Sequence, residues 1–263
     1  MDVAAHAVAL GGIACYGFAN IYVFGTRPTE SLVRYVNLVK GRPADQTGSV
    51  VTTPERILAL FDWNRLPDGL DAARVRKLIA GLLELGPFGF RGPARDYLPH
   101  YLTQDDNGVR TVQVVSPGFA CPSNNFFAKV LEYTTDSYLY GTSANRSRRL
   151  TGADDEPVHH RLAPLQPEFG RVPGFFMLGQ ADDDAARRRY PHHEPMSATV
   201  LSFHKLGPAD GSRPRVVVER HGSLALDQLR AVAENAGLGL HLAPGAQRRL
   251  EPRVYGNEAL RAA

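Results

Sequence analysis

The sequence predicts an α/β fold, and three observations carry that prediction. Short β-branched and aromatic runs, Ile13-Ala-Cys-Tyr16, Ile21-Tyr-Val-Phe24 and Arg215-Val-Val-Val-Glu219 among them, recur along the chain. Between them lie apolar stripes of helical period, the clearest being Val75, Leu78, Ile79, Leu82 and Leu83. Finally, 263 residues with 43% hydrophobic and 22% charged content suit a large core in one α/β domain or two small ones.

The elements follow in order. Val3 to Leu10 is an Ala-rich helix stopped by Gly11-Gly12, and two short strands flank Gly17-Phe-Ala-Asn20. Thr29-Glu-Ser31 opens a helix to Lys40, with Leu32, Val36 and Val39 on one face and Gly41 past its end. Thr53-Pro54-Glu55 reads as an N-cap with proline at the first helical position, ahead of Ile57, Leu58 and Phe61. Asp71 opens the next helix, Val109 to Ser116 is a strand, and Ser123 caps a helix through Phe126, Phe127, Val130 and Leu131. Asp136 to Tyr140 and Met196-Ser-Ala-Thr199-Val-Leu-Ser-Phe203 are strands. Ser223 caps a last helix carrying Leu226, Leu229 and Val232, ended by Gly237, and residues from about Pro244 form a basic tail.

Leu150 to Pro195 lacks either period and is rich in Pro, Asp, Arg and His, which predicts a long surface loop, lid or cavity wall. Its His159-His160 and His192-His193 pairs are read as polar loop residues, because adjacent histidines do not easily face one ion and no carboxylate spacing accompanies them. No metal site is expected from protein ligands. Cys15 and Cys121 show no metal spacing and read as buried, reduced thiols. The net charge of +3 and pI of about 8.9 tolerate anionic ligands without making the chain a polycation. There is no membrane-spanning run and no signal core, so the expected location is the cytoplasm.

Two stretches carry chemistry. Ser143-Ala-Asn145 offers a hydroxyl and an amide in a small loop after a strand. Lys40-Gly41-Arg42-Pro43 closes a helix; Arg can grip two phosphate oxygens in a plane and Lys supplies a point charge. Read alone, Lys40 is equally a last-turn lysine favoured by the helix dipole.

As a pair about 100 residues apart, these stretches resemble the KxR and SxN elements of the YrdC-like family of threonylcarbamoyl-AMP synthases and related carbamoyltransferase domains. The resemblance runs from about Val8 to Gly237. It also takes in Thr199, in a stretch similar to the family's STVV element, and Arg220-His-Gly222, similar to its LReG turn. It implies a twisted, mostly parallel open sheet flanked by helices with a concave basic cavity. The division expected is one domain over 1–243, with 150–195 as an inserted loop or lid, and a tail over 244–263. It further implies an L-threonylcarbamoyladenylate synthase-like nucleotidyltransferase using ATP, with Mg2+ held through phosphates, a bicarbonate or carbamoyl donor, and an amino acid or other amine as acceptor. Lys40 and Arg42 would be catalytic; with Ser143, Asn145, Thr199 and Arg220 they would hold the nucleotide.

The acceptor side departs from that pattern. Of the family's PTDTVYGL only Tyr22 is kept; Gly17, Phe18, Ala19 and Asn20 stand where Pro, Thr, Asp and Thr are usual. Tyr22 and Asn20 are nonetheless the expected substrate-side residues. Leu85 and Gly89 replace residues of PGPxT, and Ala120 replaces the arginine of RxPS. The resemblance thus implies kept nucleotide binding with a changed acceptor. Its alternative is a double-stranded RNA- or nucleotide-binding module without turnover, with double-stranded RNA or tRNA as partner and Arg146, Arg148, Arg149 and Arg187 to Arg189 as phosphate contacts.

Overall fold

The computed structural model describes residues 1–147, 156–211 and 213–256. Helix α1 (Asp2–Ala9) leads into the hairpin of β1 (Ile13–Phe18) and β2 (Ile21–Thr26), turned at Ala19 with φ 55°. Helix α2 (Glu30–Lys40) and β3 (Ser49–Val51) follow, then α3 (Ala72–Leu85), whose N-cap Asp71 accepts from the Ala73 amide as expected. Strands β4 (Phe88–Pro93), β5 (Thr103–Asp106) and β6 (Val109–Ser116) precede α4 (Ser123–Glu132) and β7 (Leu139–Ser143). The chain continues through α5 (Leu165–Phe169), β8 (Phe175–Leu178), α6 (Asp183–Arg188), β9 (Val200–Leu206), β10 (Arg215–Arg220), α7 (Leu226–Asn235) and β11 (Gly239–Leu242).

Among the described residues the strands join in one 11-stranded open sheet in the order β11-β10-β9-β4-β6-β3-β7-β2-β1-β8, with β5 on β6. Parallel ladders (β1–β8, β3–β6, β4–β9, β10–β11) are interleaved with antiparallel ones such as β1–β2, β2–β7, β4–β6 and β9–β10, so the sheet is mixed. Period-two alternation sorts β2 between two cores. Tyr22 and Phe24 belong to the core that also takes in α2, α3 and α7, with Phe24 against Phe169 and Phe175, whereas Ile21 and Val23 join Phe18, Val51 and the α4 residues Phe126 and Phe127. Among the described residues no helix is long and apolar enough to cross a membrane.

Several local expectations are corrected. The stretch after Thr53 is a 3-10 turn, Pro54–Leu60, without a side-chain cap, because Phe61 must return to bridge Ala94 just past the end of β4. Ser123 lies inside α4 and contacts Cys121 Sγ at 3.0 Å instead of capping. Ser223 sits ahead of α7, where its hydroxyl meets His193 Nδ1 at 3.0 Å. The strand placed at Asp136–Tyr140 runs later, Leu139–Ser143, so Ser143 ends a strand. The described part of 150–195 is not a patternless loop: β8 pairs with β1, and Leu165 and Phe169 are fully buried. Strand β11 and the inward packing of residues 244–256 were not foreseen.

Candidate functional site

One face of β2, β7, β3, β6 and β4 floors a cleft of about 1020 Å³. The sequence builds its two halves by alternation. Ile21 and Val23 of β2, with Val51 and Val115, give an apolar wall, while Ser49, Arg91 and Gln113 give a polar floor. Gly141 lets β7 lie close to β3, since a Cβ there would come within 2.2 Å of Val51 Cγ2. Arg42, Arg91, Arg220, Arg248 and Arg249 outnumber Asp45, Glu156 and Glu251 among the lining residues, so the cleft is basic.

Gly41, at φ 75°, ends α2 in the left-handed region and turns the next residue inward. Arg42 then reaches across the cleft edge, Nη1 donating to Thr142 Oγ1 at 2.9 Å. Ser143 and Asn145 also line the cleft, and Arg220 does so with Nε on the Ala198 carbonyl at 2.9 Å. The structure thus brings Arg42, Ser143, Asn145 and Arg220 to one cavity.

Lys40 and Thr199 take other places. Lys40 is fully buried behind the loop, with Nζ donating to Asn145 O at 2.8 Å, to Asn145 Oδ1 at 3.2 Å and to the Ser143 carbonyl. Its ammonium lies 5.6 Å from the Phe24 ring centroid. Asn145 completes the arrangement: Oδ1 meets the Ser143 hydroxyl, and Nδ2 donates at 2.8 Å to the carbonyls of Arg146 and Glu156. Lys40 therefore shapes the Ser143-Ala-Asn145 loop from the rear. Thr199 Oγ1 accepts from the Gly222 and Leu224 amides at 3.2 and 3.1 Å, fixing the turn that carries Arg220.

Tyr22 and Asn20, expected beside the substrate, do not line the cleft. Tyr22 has the strand parity opposite to Ile21 and Val23; its hydroxyl donates to Asp183 Oδ1 at 2.7 Å and accepts from the Gln180 amide at 3.1 Å. Asn20 turns its amide to the His193 carbonyl at 2.9 Å. In their place Phe18, Ile21 and Val23 face the cavity.

Sequence reasoning passed over Arg91, Gln113 and Ser49, although a polar residue within an apolar strand is a usable signal. It also passed over the tail. Arg249 donates to the Gly222 and Ser223 carbonyls at 3.0 and 2.7 Å, Arg253 to Pro157 O and Glu156 Oε2 at 2.7 and 2.9 Å, and the Tyr255 hydroxyl accepts from the His160 and Arg161 amides at 3.0 and 3.2 Å. These contacts carry residues 249–255 from the turn after β10 to the segment after the loop, along the mouth of the cleft. The signal was hidden because a tail rich in Arg reads as solvated.

Asp106, His204 and Glu219 place one potential ligand atom each within 4.8 Å of one another. Lys205 Nζ already lies 2.6 Å from Asp106 and 3.0 Å from Glu219, holding the Asp106 carboxyl below its ordinary value. His204, hydrogen-bonded to both Asp106 and Ser202, is lowered by burial. An ammonium thus fills the position a cation would take. Of the arginines expected to meet RNA, Arg146, Arg187 and Arg188 pair with Glu168, Asp184 and Asp182, and Arg189 is exposed; Arg148 and Arg149 lie outside the described residues.

No protein-family model matches the chain, and no curated protein matches it. Its fold, however, is that of the Sua5/YrdC proteins, an open α/β sheet with helices on its faces. P. abyssi Sua5 complexed with L-threonine is similar over 91% of this chain and 58% of its own, at 18% identity and a TM-score of 0.61. This chain therefore spans under two thirds of that Sua5. The hypothetical protein SMU.1377c of Streptococcus mutans UA159 is similar over 89% of this chain and 91% of its own, at 17% identity and a TM-score of 0.60. Full-length HypF in the phosphate- and nucleotide-bound form covers 85% of this chain with 29% of its length, at 12% identity and a TM-score of 0.52.

Proposed function

We propose that the chain is a divergent YrdC-type enzyme that binds ATP in the basic cleft and forms a carbamoyl-adenylate or related acyl-adenylate, releasing pyrophosphate. The observation that carries this reading is the meeting of Arg42, Ser143, Asn145 and Arg220 at one cavity, from stretches far apart in sequence. The likeness of the fold to Sua5 and to a nucleotide-bound HypF supports it. In this reading an amine adds to carbon dioxide with loss of a proton, or condenses with bicarbonate with loss of water, to give a carbamate. A carbamate oxygen attacks the α-phosphorus as the bond to the pyrophosphate oxygen breaks. Such a transfer asks the protein chiefly for positioning and charge neutralisation. Arg42 and Arg220 supply the charge, Ser143 and Asn145 the polar cradle, and Lys40 and Thr199 hold those elements in shape.

The donor set fits magnesium only through the phosphates. Of the lining carboxylates, Glu156 and Glu251 are paired with Arg253 and Arg248, which leaves Asp45 as a single carboxylate among five arginines, too few protein oxygens to hold the ion without the phosphates. Mg2+ arriving with ATP would add to that neutralisation.

Calorimetric titration with ATP tests the reading. The wild-type protein is expected to bind, and Arg42→Ala to weaken binding by roughly 1.5–3 kcal/mol, the range for a hydrogen bond to a charged group. Absence of heat with any adenine nucleotide would sink it.

A further inference from the structure

We infer that the polar floor of the cleft is a carboxylate-binding subsite, built by Arg91, Gln113 and Ser49 with Gln104 at its edge. The three principal residues sit on adjacent strands in register. Arg91 and Gln113 are cross-strand partners in β4 and β6, and Val50 pairs with Val114, which brings Ser49 of β3 beside Gln113.

Their hydrogen bonds fix which atoms face a ligand. Arg91 Nη2 donates to Gln113 Oε1 at 2.9 Å, and Nη1 to Gln104 Oε1 at 2.8 Å. Arginine carries donors only, so both amide oxygens must face it, which orients the two side-chain amides. Gln113 Nε2 therefore donates onward, and it does so to Ser49 Oγ at 2.6 Å. Ser49 is buried to 9% exposure and accepts that bond, which leaves its own proton to give. Each Nη of Arg91 keeps an N–H, and Gln104 keeps its amide donors. The floor thus offers donors: a ligand there must bring acceptors.

Charge narrows the class. Arg91 Nε pairs with Glu219 Oε2 at 2.9 Å, so Arg91 is held in place and its charge is offset in part, Glu219 being shared with Lys205. A dianionic phosphate would lack sufficient compensation at this floor, whereas a planar monoanionic carboxylate matches a flat fork of N–H groups with a hydroxyl beside it. The apolar wall of Ile21, Val23 and Val51 adjoins the floor, so the acid would carry an apolar body.

Titration of the full chain with isovalerate, a monocarboxylate with an apolar body, at constant ionic strength, with and without ATP, tests this directly. Saturable isovalerate binding is expected in both conditions. Ser49→Ala and Gln113→Leu are each expected to weaken isovalerate about tenfold or more while leaving ATP affinity unchanged. Circular dichroism and melting of both variants separate loss of the site from loss of fold, and Ser49→Thr, which keeps the hydroxyl, should retain binding. Absence of isovalerate binding, equal isovalerate affinity in wild type and both folded variants, or inorganic phosphate binding that these two variants weaken more than they weaken isovalerate would overturn the inference. Competition between isovalerate and ATP would assign the floor to the nucleotide instead. None of these outcomes depends on turnover, and failure to bind ATP would bear on the proposed function alone.

Discussion

At the scale of single residues, Lys40 is where reading and structure diverge most usefully. A lysine in the last turn of a helix is favoured by the exposed carbonyls there, and beside Arg42 it reads as a phosphate ligand. The structure buries it completely, with its ammonium on two carbonyls and an amide oxygen of the loop from Ser143 to Asn145. A methylene stem cannot replace that ammonium, so Lys40→Ala leaves buried acceptors without a donor. Each such group costs about 1–3 kcal/mol, and the expected loss in stability is roughly 2–4 kcal/mol by urea denaturation. A loss below about 0.5 kcal/mol together with abolished ATP binding would instead place the ammonium's role on the ligand. Arg42, by contrast, reaches the cleft as its sequence context suggested. The distinction was invisible beforehand because it depends on which side of the loop each cation approaches, and that is set by the single turn at Gly41.

At the scale of elements, helices with clean stripes were legible. Helix α3 matched its Asp71 cap and its apolar positions, and α2 its Gly41 stop, because local periodicity and capping decide both. Short strands were not. Phe175–Leu178 has too few residues to show a period, and its place depends on pairing with β1 far away in sequence. That strand anchors a segment in which His159, His160 and His193 are buried and His192 is exposed. Burial, with Arg187 beside it, lowers His160 to about 4, and burial lowers His193 to about 4, with His192 and Arg249 adding repulsion. Both are neutral in the folded chain and take a proton more readily once unfolded. The stability they contribute is therefore complete above the ordinary histidine value of about 6.5 and is lost as pH falls from there toward about 4. Denaturation curves between pH 7 and 4 should show a slope of at most about 1.4 kcal/mol per pH unit for each histidine. His193→Asn should flatten that slope in the same window; an unchanged slope would remove His193 from the account.

At the scale of the whole molecule, the cleft joins two halves that the sequence treats differently. Arg42 and Arg220 of its basic rim, with Ser143 and Asn145 beside them, were legible in the sequence, but its wall was not. Strand parity turns Tyr22 toward Asp183 and presents Ile21 and Val23 to the cavity, with Phe18 nearby. A small acceptor bearing a hydroxyl, such as threonine, would set that hydroxyl against an apolar surface. Losing a partner for one buried polar group costs about 1–3 kcal/mol, roughly ten- to hundredfold in affinity. Phe18 also takes up space, so a short side chain gains little from the wall. An amino acid with a longer apolar side chain would cover it and gain about 0.8 kcal/mol for each buried methylene. Incubation of the protein with ATP, bicarbonate and a panel of amino acids, read by pyrophosphate release and mass spectrometry of the products, therefore has a directional expectation. Threonine should give release far below the range typical of enzymes, about 1–1000 per second. Leucine, norleucine or phenylalanine should exceed it in kcat/KM. Ile21→Thr should move the preference back toward threonine by adding a hydroxyl to the wall without changing its shape greatly. Full-rate turnover of threonine by the unmodified chain would show that the apolar wall does not select the acceptor.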